Sequence, residues 1–391
     1  MTNQGEPARE AAAIDADSHI VLPSSDDWWM SSLPAKYRDW MPRYKDGKLH
    51  AEGRVIEQPT PTLHGKPTAA AWFGDSQAAT YTPGSWKMSD PAALSVVEAL
   101  RRAGLEPRDR LAAMDAEGID VAFIFPSKIL GLLPAIRSSA FAAALAAAYN
   151  DWVIAYCAES PRRLRPVAMV PQQDLVLAAE EARRVHAKGV SAIMLRPNTV
   201  AGMNVDHPSY DALWSVCQEL SIPVLIHEGY GVADIPRIGV DRVHTTMQGH
   251  MVSHPFEHMM AMLLLITGGV FSRYPGLRCG FMESDAGWAP FWLARMDSHA
   301  HLFARDHAPL PEPPSVYFKR QCFLGVESKD PLLPVLVQFG YEDNLVFASD
   351  FPHFDAMFPG TVDALSRRAD LSDDVKRKIL RENAVRLYGI G

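Results

Sequence analysis

Eight short apolar runs, each stopped by polar residues or by Gly and Pro, restrict most tightly what this 391-residue chain can fold into. They occupy 13–19, 121–126, 165–170, 192–197, 223–227, 278–283, 322–327 and 345–350. Most are nearly continuous in apolar residues rather than alternating, the pattern of strands covered on both faces of a parallel sheet. Segments with helical spacing separate them: 138–158, 174–188, 206–220, 255–271, 285–299 and 373–388. Ser372 caps the last of these, and Pro255 reads as the first turn of the fourth. Eight strand–helix repeats predict an α/β fold, a closed (β/α)8 TIM barrel. An open doubly wound sheet would want a glycine-rich turn after the first strand. The turn here, Asp17-Ser18-His19-Ile20-Val21-Leu22-Pro23, has no glycine.

One connection is anomalous. About a hundred residues separate the first two strands, and 44–95 is dense in Gly, Pro and Thr. The expected organisation is a loose tail over 1–13 and one barrel over 14–391, with 44–95 as a lid-like insertion over the C-terminal mouth. The net charge of −8 and the lack of any Lys/Arg-rich stretch speak against nucleic acid or an anionic membrane as partner. The N-terminus has no signal-peptide pattern, and the longest apolar run, 259–271, is too short to span a bilayer. Cys157, Cys217, Cys279 and Cys322 form no CxxC pair and read as buried thiols. A cytoplasmic location is the expectation.

The polar residues that end the strands carry the chemistry. Strand one ends in Asp17-Ser18-His19, whose first and third side chains share a face. Strand five ends in His227-Glu228, strand six in Glu283, strand seven in Glu327 and strand eight in Asp350. Carboxylates and imidazoles converging on one barrel mouth make an oxygen/nitrogen cage for a divalent metal. A lone strand-end His or Asp more often bonds to backbone or caps a turn, so the joint placement bears the inference. His244, His250, His254 and His258 follow strand five at near-regular spacing. They form either a polar loop with one surface histidine, or a source of His254 or His250 as proton shuttle or substrate contact. Arg196, ending strand four, meets either a substrate carboxylate or a neighbouring acidic strand end. Trp288 either walls the pocket or joins the core.

Several stretches resemble the second branch of the amidohydrolase superfamily, which includes aminocarboxymuconate-semialdehyde decarboxylase. They are Asp15-Ala16-Asp17-Ser18-His19, Tyr149-Asn150-Asp151-Trp152, Pro223 to Glu228, and Ser253-His254-Pro255-Phe256. Further matches are Gly269-Val270-Phe271 with Tyr274-Pro275-Gly276-Leu277, Glu283 with Gly287-Trp288, and Ala348 to His353. The resemblance implies a barrel with a metal held by Asp17, His19, His227 and Asp350. Asp350 would also serve as base toward a water that the metal acidifies. Two departures stand out. Glu283 occupies the strand-six position where decarboxylases of this branch carry a His acid/base, and Leu22-Pro23 replaces a Glu-Pro pair of longer relatives.

Three readings follow. The first is a metal-dependent hydrolase or lyase for a small anionic or cyclic substrate, with zinc as the expected ion. Asp350, Glu283 and His254 would be its catalytic groups, and Arg196, Trp288 and His353 its substrate contacts. The second is a dinuclear iron or manganese monooxygenase component, with Glu283 bridging and His353 or His254 as added ligands. The third is a partner subunit with a structural metal. The expected assembly is a homodimer or a heterodimer with a homologous barrel.

Overall fold

The computed structural model describes residues 12–20, 26–45, 48–56, 62–63, 66–67, 106–229, 234–304, 310–353 and 356–390. Eight parallel strands form one sheet in sequence order: β1 (Ala13–Ile20), β2 (Ile119–Pro126), β3 (Leu164–Met169), β4 (Ala192–Leu195), β5 (Val224–His227), β6 (Cys279–Met282), β7 (Cys322–Val326) and β8 (Leu345–Phe347). Every strand named in the sequence is present. β4 to β8 are buried along their whole length, as their unbroken apolar runs require.

The seam between β8 and β1 is closed by the residues that follow β8. The Ser349 amide and hydroxyl donate to the two Asp15 carboxylate oxygens at 2.9 and 2.5 Å. The Asp350 amide donates to the Asp17 carbonyl at 2.9 Å and the His19 amide to the Phe351 carbonyl at 2.6 Å. The fold is therefore a (β/α)8 barrel, and its seam joins two of the strand ends that carry chemistry.

The helix Ser139–Cys157 is apolar and long enough to cross a membrane by length and composition. Its inner face instead packs on the barrel wall through Leu145, Tyr149 and Val153. The Asn150 amide there donates to the Met169 carbonyl at 2.8 Å and accepts from its amide at 2.9 Å, bonding side chain to strand end. The C-terminal helical stretch also matches its expected span, with a π turn (Lys378–Glu382) interrupting it.

Several helix boundaries differ from expectation; the helix expected over 206–220 runs Asp211–Glu219, behind a 3-10 turn at Pro208–Tyr210. The fourth helix runs Thr246–Thr267, so Pro255 lies inside it. Thr245 and Gln248 form a reciprocal capping box that starts the helix nine residues before the proline. A proline interrupts a helix only locally, so its missing N–H did not decide the start. His250 is consequently helical, not in a loop, and His254 lies mid-helix, not near an N-cap. The helix Ala289–Leu302 begins four residues later than the spacing predicts.

Part of the lid-like segment is described. Arg43–Lys45, Lys48–Ala51 and Arg54–Ile56 form a three-stranded antiparallel sheet, and Thr62–Leu63 pairs with Lys66–Pro67. Glu52 accepts hydrogen bonds from the Arg137 and Ser138 amides at 2.9 and 2.5 Å, and Arg54 pairs with Asp234. The small sheet is thus tied to loops after β2 and β5. The rest of 44–95, and the tail before residue 12, lie outside the described residues.

Candidate metal centre

Asp17 and His19 of β1 and His227 of β5 come together because each closes a buried strand. His19 Nε2 lies 3.1 Å from His227 Nε2 and 3.3 Å from Asp17 Oδ1, while His227 Nε2 lies 3.4 Å from Asp17 Oδ2. Glu283 Oε2 approaches His227 Nε2 to 3.3 Å, and Asp350 Oδ1 approaches His19 Nε2 to 3.4 Å. Five side chains from strands one, five, six and eight therefore meet at one point.

The protons identify what belongs at that point. His19 Nδ1 lies 2.9 Å from the Pro126 carbonyl and His227 Nδ1 2.5 Å from the Glu228 carbonyl. A carbonyl only accepts, so both rings carry their proton on Nδ1 and turn an Nε2 lone pair inward. Burial, with the adjacent His353, pushes His19 down to about 3, which keeps its ring neutral. Both Asp17 oxygens are buried and accept no hydrogen bond from the described residues. Two lone pairs facing each other beside three carboxylates repel one another unless a cation lies between them. The donor set fits a divalent metal, with backbone carbonyls as the outer partners that orient the imidazoles.

Glu283 and Asp350 both have φ of 54°. This left-handed conformation is uncommon for Glu and better tolerated by Asp. It turns both side chains from the strand direction toward the mouth, a local strain of the kind found at functional sites.

Around the centre lies a second set of groups. His353 Nδ1 sits 2.6 Å from Asp350 Oδ1, its ring stacks on His19 at 4.0 Å, and its Nε2 lies 3.4 Å from Ser127 Oγ. His254 Nε2 lies 3.5 Å from Glu283 Oε1. Burial and the flanking imidazoles push His254 well below the usual histidine range, so it is neutral. His250 joins His254 and Glu283 in a group whose donor atoms lie within 4.8 Å of one another. His258, one turn further, points its Nε2 to the Ile226 carbonyl at 3.0 Å and ties the helix to β5. His244 is exposed and precedes the helix.

The structure does not bring the other named residues to the ion position. Fully buried Arg196 pairs with Glu228 at 2.7 Å and hydrogen-bonds Asn198 Oδ1 and the Gly229 carbonyl. That is the acidic strand-end partner, the second of its two sequence readings. Trp288 donates its indole N–H to the Ser284 and Asp285 carbonyls and packs, half-buried, on the core. Glu327 pairs with Lys329 at 2.8 Å.

Arg110 went unnoticed in the sequence. It is buried, donates to Ser18 Oγ at 2.6 Å and to the His19 carbonyl, and lies over the Phe351 ring at 5.1 Å. It clamps the Asp17-Ser18-His19 turn to the turn after β8. The only local signal was a basic residue on the face of Ala113 and Met114, which are buried.

On the helix Thr246–Thr267, Glu257 is buried and accepts the Ile238 amide at 2.6 Å. Burial and then the neighbouring Glu228 push its carboxyl up to about 7. An acid raised on folding is deprotonated first in the unfolded chain, so stability falls from about pH 4.5 to 7 and is level above that. Glu257→Gln is expected to remove this slope and to add roughly 2–3 kcal/mol at pH 8 but little at pH 4.5. Urea denaturation at both pH values measures it; an equal gain at both would show that ionisation of Glu257 is not involved.

A (β/α)8 barrel with a lone-pair cage at the C-terminal ends of its strands defines a class of metal-centred barrel enzymes. The amidohydrolase family model matches residues 14–390, so this chain belongs to the amidohydrolase family. Among curated proteins it is similar to 2-amino-3-carboxymuconate-6-semialdehyde decarboxylase of Dictyostelium discoideum. The two are 26% identical over 250 residues, 63% of this chain and 67% of that one. Among solved structures it resembles an amidohydrolase from Mycobacterium avium subsp. paratuberculosis, with a TM-score of 0.79 and 20% identity, covering 98% of this chain and 99% of that one. It also resembles manganese-bound 5-carboxyvanillate decarboxylase of Novosphingobium aromaticivorans, with a TM-score of 0.67 and 18% identity over 98% of each chain.

Proposed function

We propose that this chain is a metal-dependent decarboxylase, a lyase that releases CO2 from a small aromatic or unsaturated carboxylate. The observation that carries it is the inward-facing lone-pair set of Asp17, His19 and His227, with the Glu283 and Asp350 carboxylates beside it. The decarboxylase names among the similar proteins support this choice over hydrolysis. Asp17, His19, His227 and Asp350 hold the cation, and when bound it supplies charge that fixes and polarises the substrate's oxygens. Three hard carboxylates beside two borderline imidazoles suit manganese as well as the zinc expected from sequence.

Decarboxylation replaces a C–COO⁻ bond with C–H, so one proton must be delivered to carbon. On this reading Glu283, its side chain 15% exposed at the mouth and His254 beside it, takes up a proton from solvent and delivers it to carbon. The His353 ring, against Asp350 and Ser127, positions the Asp350 carboxylate from the other side. Glu283 in place of a strand-six histidine is thus a change of proton donor and not the loss of one.

A second reading has one specific observation in its favour. His250, His254 and Glu283 form a donor group beside the first, and two ions sharing Glu283 would suit a dinuclear oxygenase component. One experiment separates the two. Protein purified without chelator is expected to carry about one equivalent of manganese or zinc and to release CO2 from 2,6-dihydroxybenzoate or a related carboxylate. EDTA treatment should lower that rate at least ~10-fold, and added Mn²⁺ should restore it. Two equivalents of iron or manganese, with O2 consumed and no CO2 released, would favour the second reading.

A further inference from the structure

Lys128 follows β2 at the C-terminal mouth, one residue after the Ser127 that touches His353 and two after the Pro126 that accepts from His19. Its Nζ is buried and has no hydrogen-bond partner among the described residues. Burial lowers its pKa.

The surroundings make this arrangement unfavourable in the protein alone. Lys128 opens the helix Lys128–Ala135, whose N-terminal end already carries positive partial charge. No side chain caps that end, because the Ser127 hydroxyl is turned to His353. The rest of the helix is apolar and buried, with Ile129, Leu130, Leu132 and Leu133 in the core. An ammonium kept out of water with three unused donors loses solvation without compensation. Several other lysines find carboxylates, as Lys188 finds Asp151 at 2.6 Å and Lys378 finds Asp343 at 2.9 Å.

We propose that Lys128 is a substrate-recognition residue that binds a second anionic group, a carboxylate or an ionised phenol, on a substrate whose reacting carboxylate lies at the metal centre. The inference rests on the proposed function for the existence of that first carboxylate. It extends it by assigning a dianionic substrate class and the residue that selects it. Arg196, the cation the sequence offered for this task, is already neutralised by Glu228, whereas Lys128 is not.

Binding, not turnover, tests the idea, so the result stands apart from whether CO2 is released. The probes are isophthalate, with two carboxylates, and benzoate, with one, titrated calorimetrically into the metal-loaded protein. The wild type is expected to bind isophthalate about tenfold or more tightly than benzoate, and Lys128→Met to reduce that ratio to near one. Equal affinities in the wild type, a ratio unchanged in Lys128→Met, or no binding of isophthalate would overturn the proposal. Thermal unfolding without probe supplies a second check. Removing an uncompensated buried charge should raise Tm by roughly 1–3 °C. A fall in Tm, with the ratio kept, would make Lys128 a packing residue.

Discussion

Asp350→Asn is expected to lower kcat/KM by about three orders of magnitude or more while leaving the barrel folded. Asparagine suits the test because the backbone there has φ of 54°, which Asn adopts as readily as Asp. The amide bond to the Asp17 carbonyl that closes the barrel seam belongs to the main chain and survives the change. What is lost is a negative charge 2.6 Å from His353 Nδ1 and 3.4 Å from His19 Nε2. An amide in that place is a poorer ligand, cannot accept a proton at neutral pH, and can set an N–H against His353. Far-UV circular dichroism and Tm should stay close to wild type. Near-normal turnover in the variant would remove Asp350 from the chemistry and with it the assignment of the mouth as the active site.

The barrel was legible because burial on both faces leaves a plain mark: apolar runs cut off by a polar residue where each strand meets the mouth. For the same reason Asp17, His19, His227, Glu283 and Asp350 stand out in the sequence, together with Glu228 and Glu327, which pair with Arg196 and Lys329 instead. What was hidden depended on geometry between distant residues or on competing local signals. Arg110 reaches Ser18 across 92 residues, and the only sign of it near position 110 is a basic residue on the face of Ala113 and Met114. The turn at Glu283 depends on a positive φ, which a Glu does not advertise as a Gly would. For the helix Thr246–Thr267, a proline that can open a helix outweighed a Thr245…Gln248 capping box that does. That exchange moved His250 onto the same face as His254 and produced the second donor group. The two sequence readings of Arg196 differed only in which carboxylate it would meet, and Glu228 lies 32 residues away on the adjoining strand end.

The Arg196–Glu228 pair gives the largest stability effect. Arg196→Met is expected to destabilise the fold by about 3–5 kcal/mol, since it leaves the Glu228 carboxylate buried without its counter-ion. Burial already pushes Glu228 above the ordinary glutamate range, with Arg196 the main opposing influence. Without Arg196 the carboxyl rises further. The unfolded chain then gives up this proton at lower pH than the folded one, so stability falls as pH rises above about 4.5. The variant should therefore be much weaker at pH 8 than at pH 5, where a protonated Glu228 relieves part of the loss. Arg196→Met combined with Glu228→Gln removes both charges and should regain most of the difference at pH 8, whereas independent contributions would simply add. The pair also touches function, because the Glu228 carbonyl receives the His227 Nδ1 proton and so sets which way the His227 lone pair points. Displacing that carbonyl should weaken metal affinity by roughly 10- to 100-fold, measured by chelator competition on folded protein. Denaturation curves for both singles and the double variant, at both pH values, decide the matter. A pH-independent loss in Arg196→Met, or a double variant no better than the sum of the singles, would mean that Arg196 acts through its packing and its bonds to Asn198 and Gly229, not as the counter-ion of Glu228.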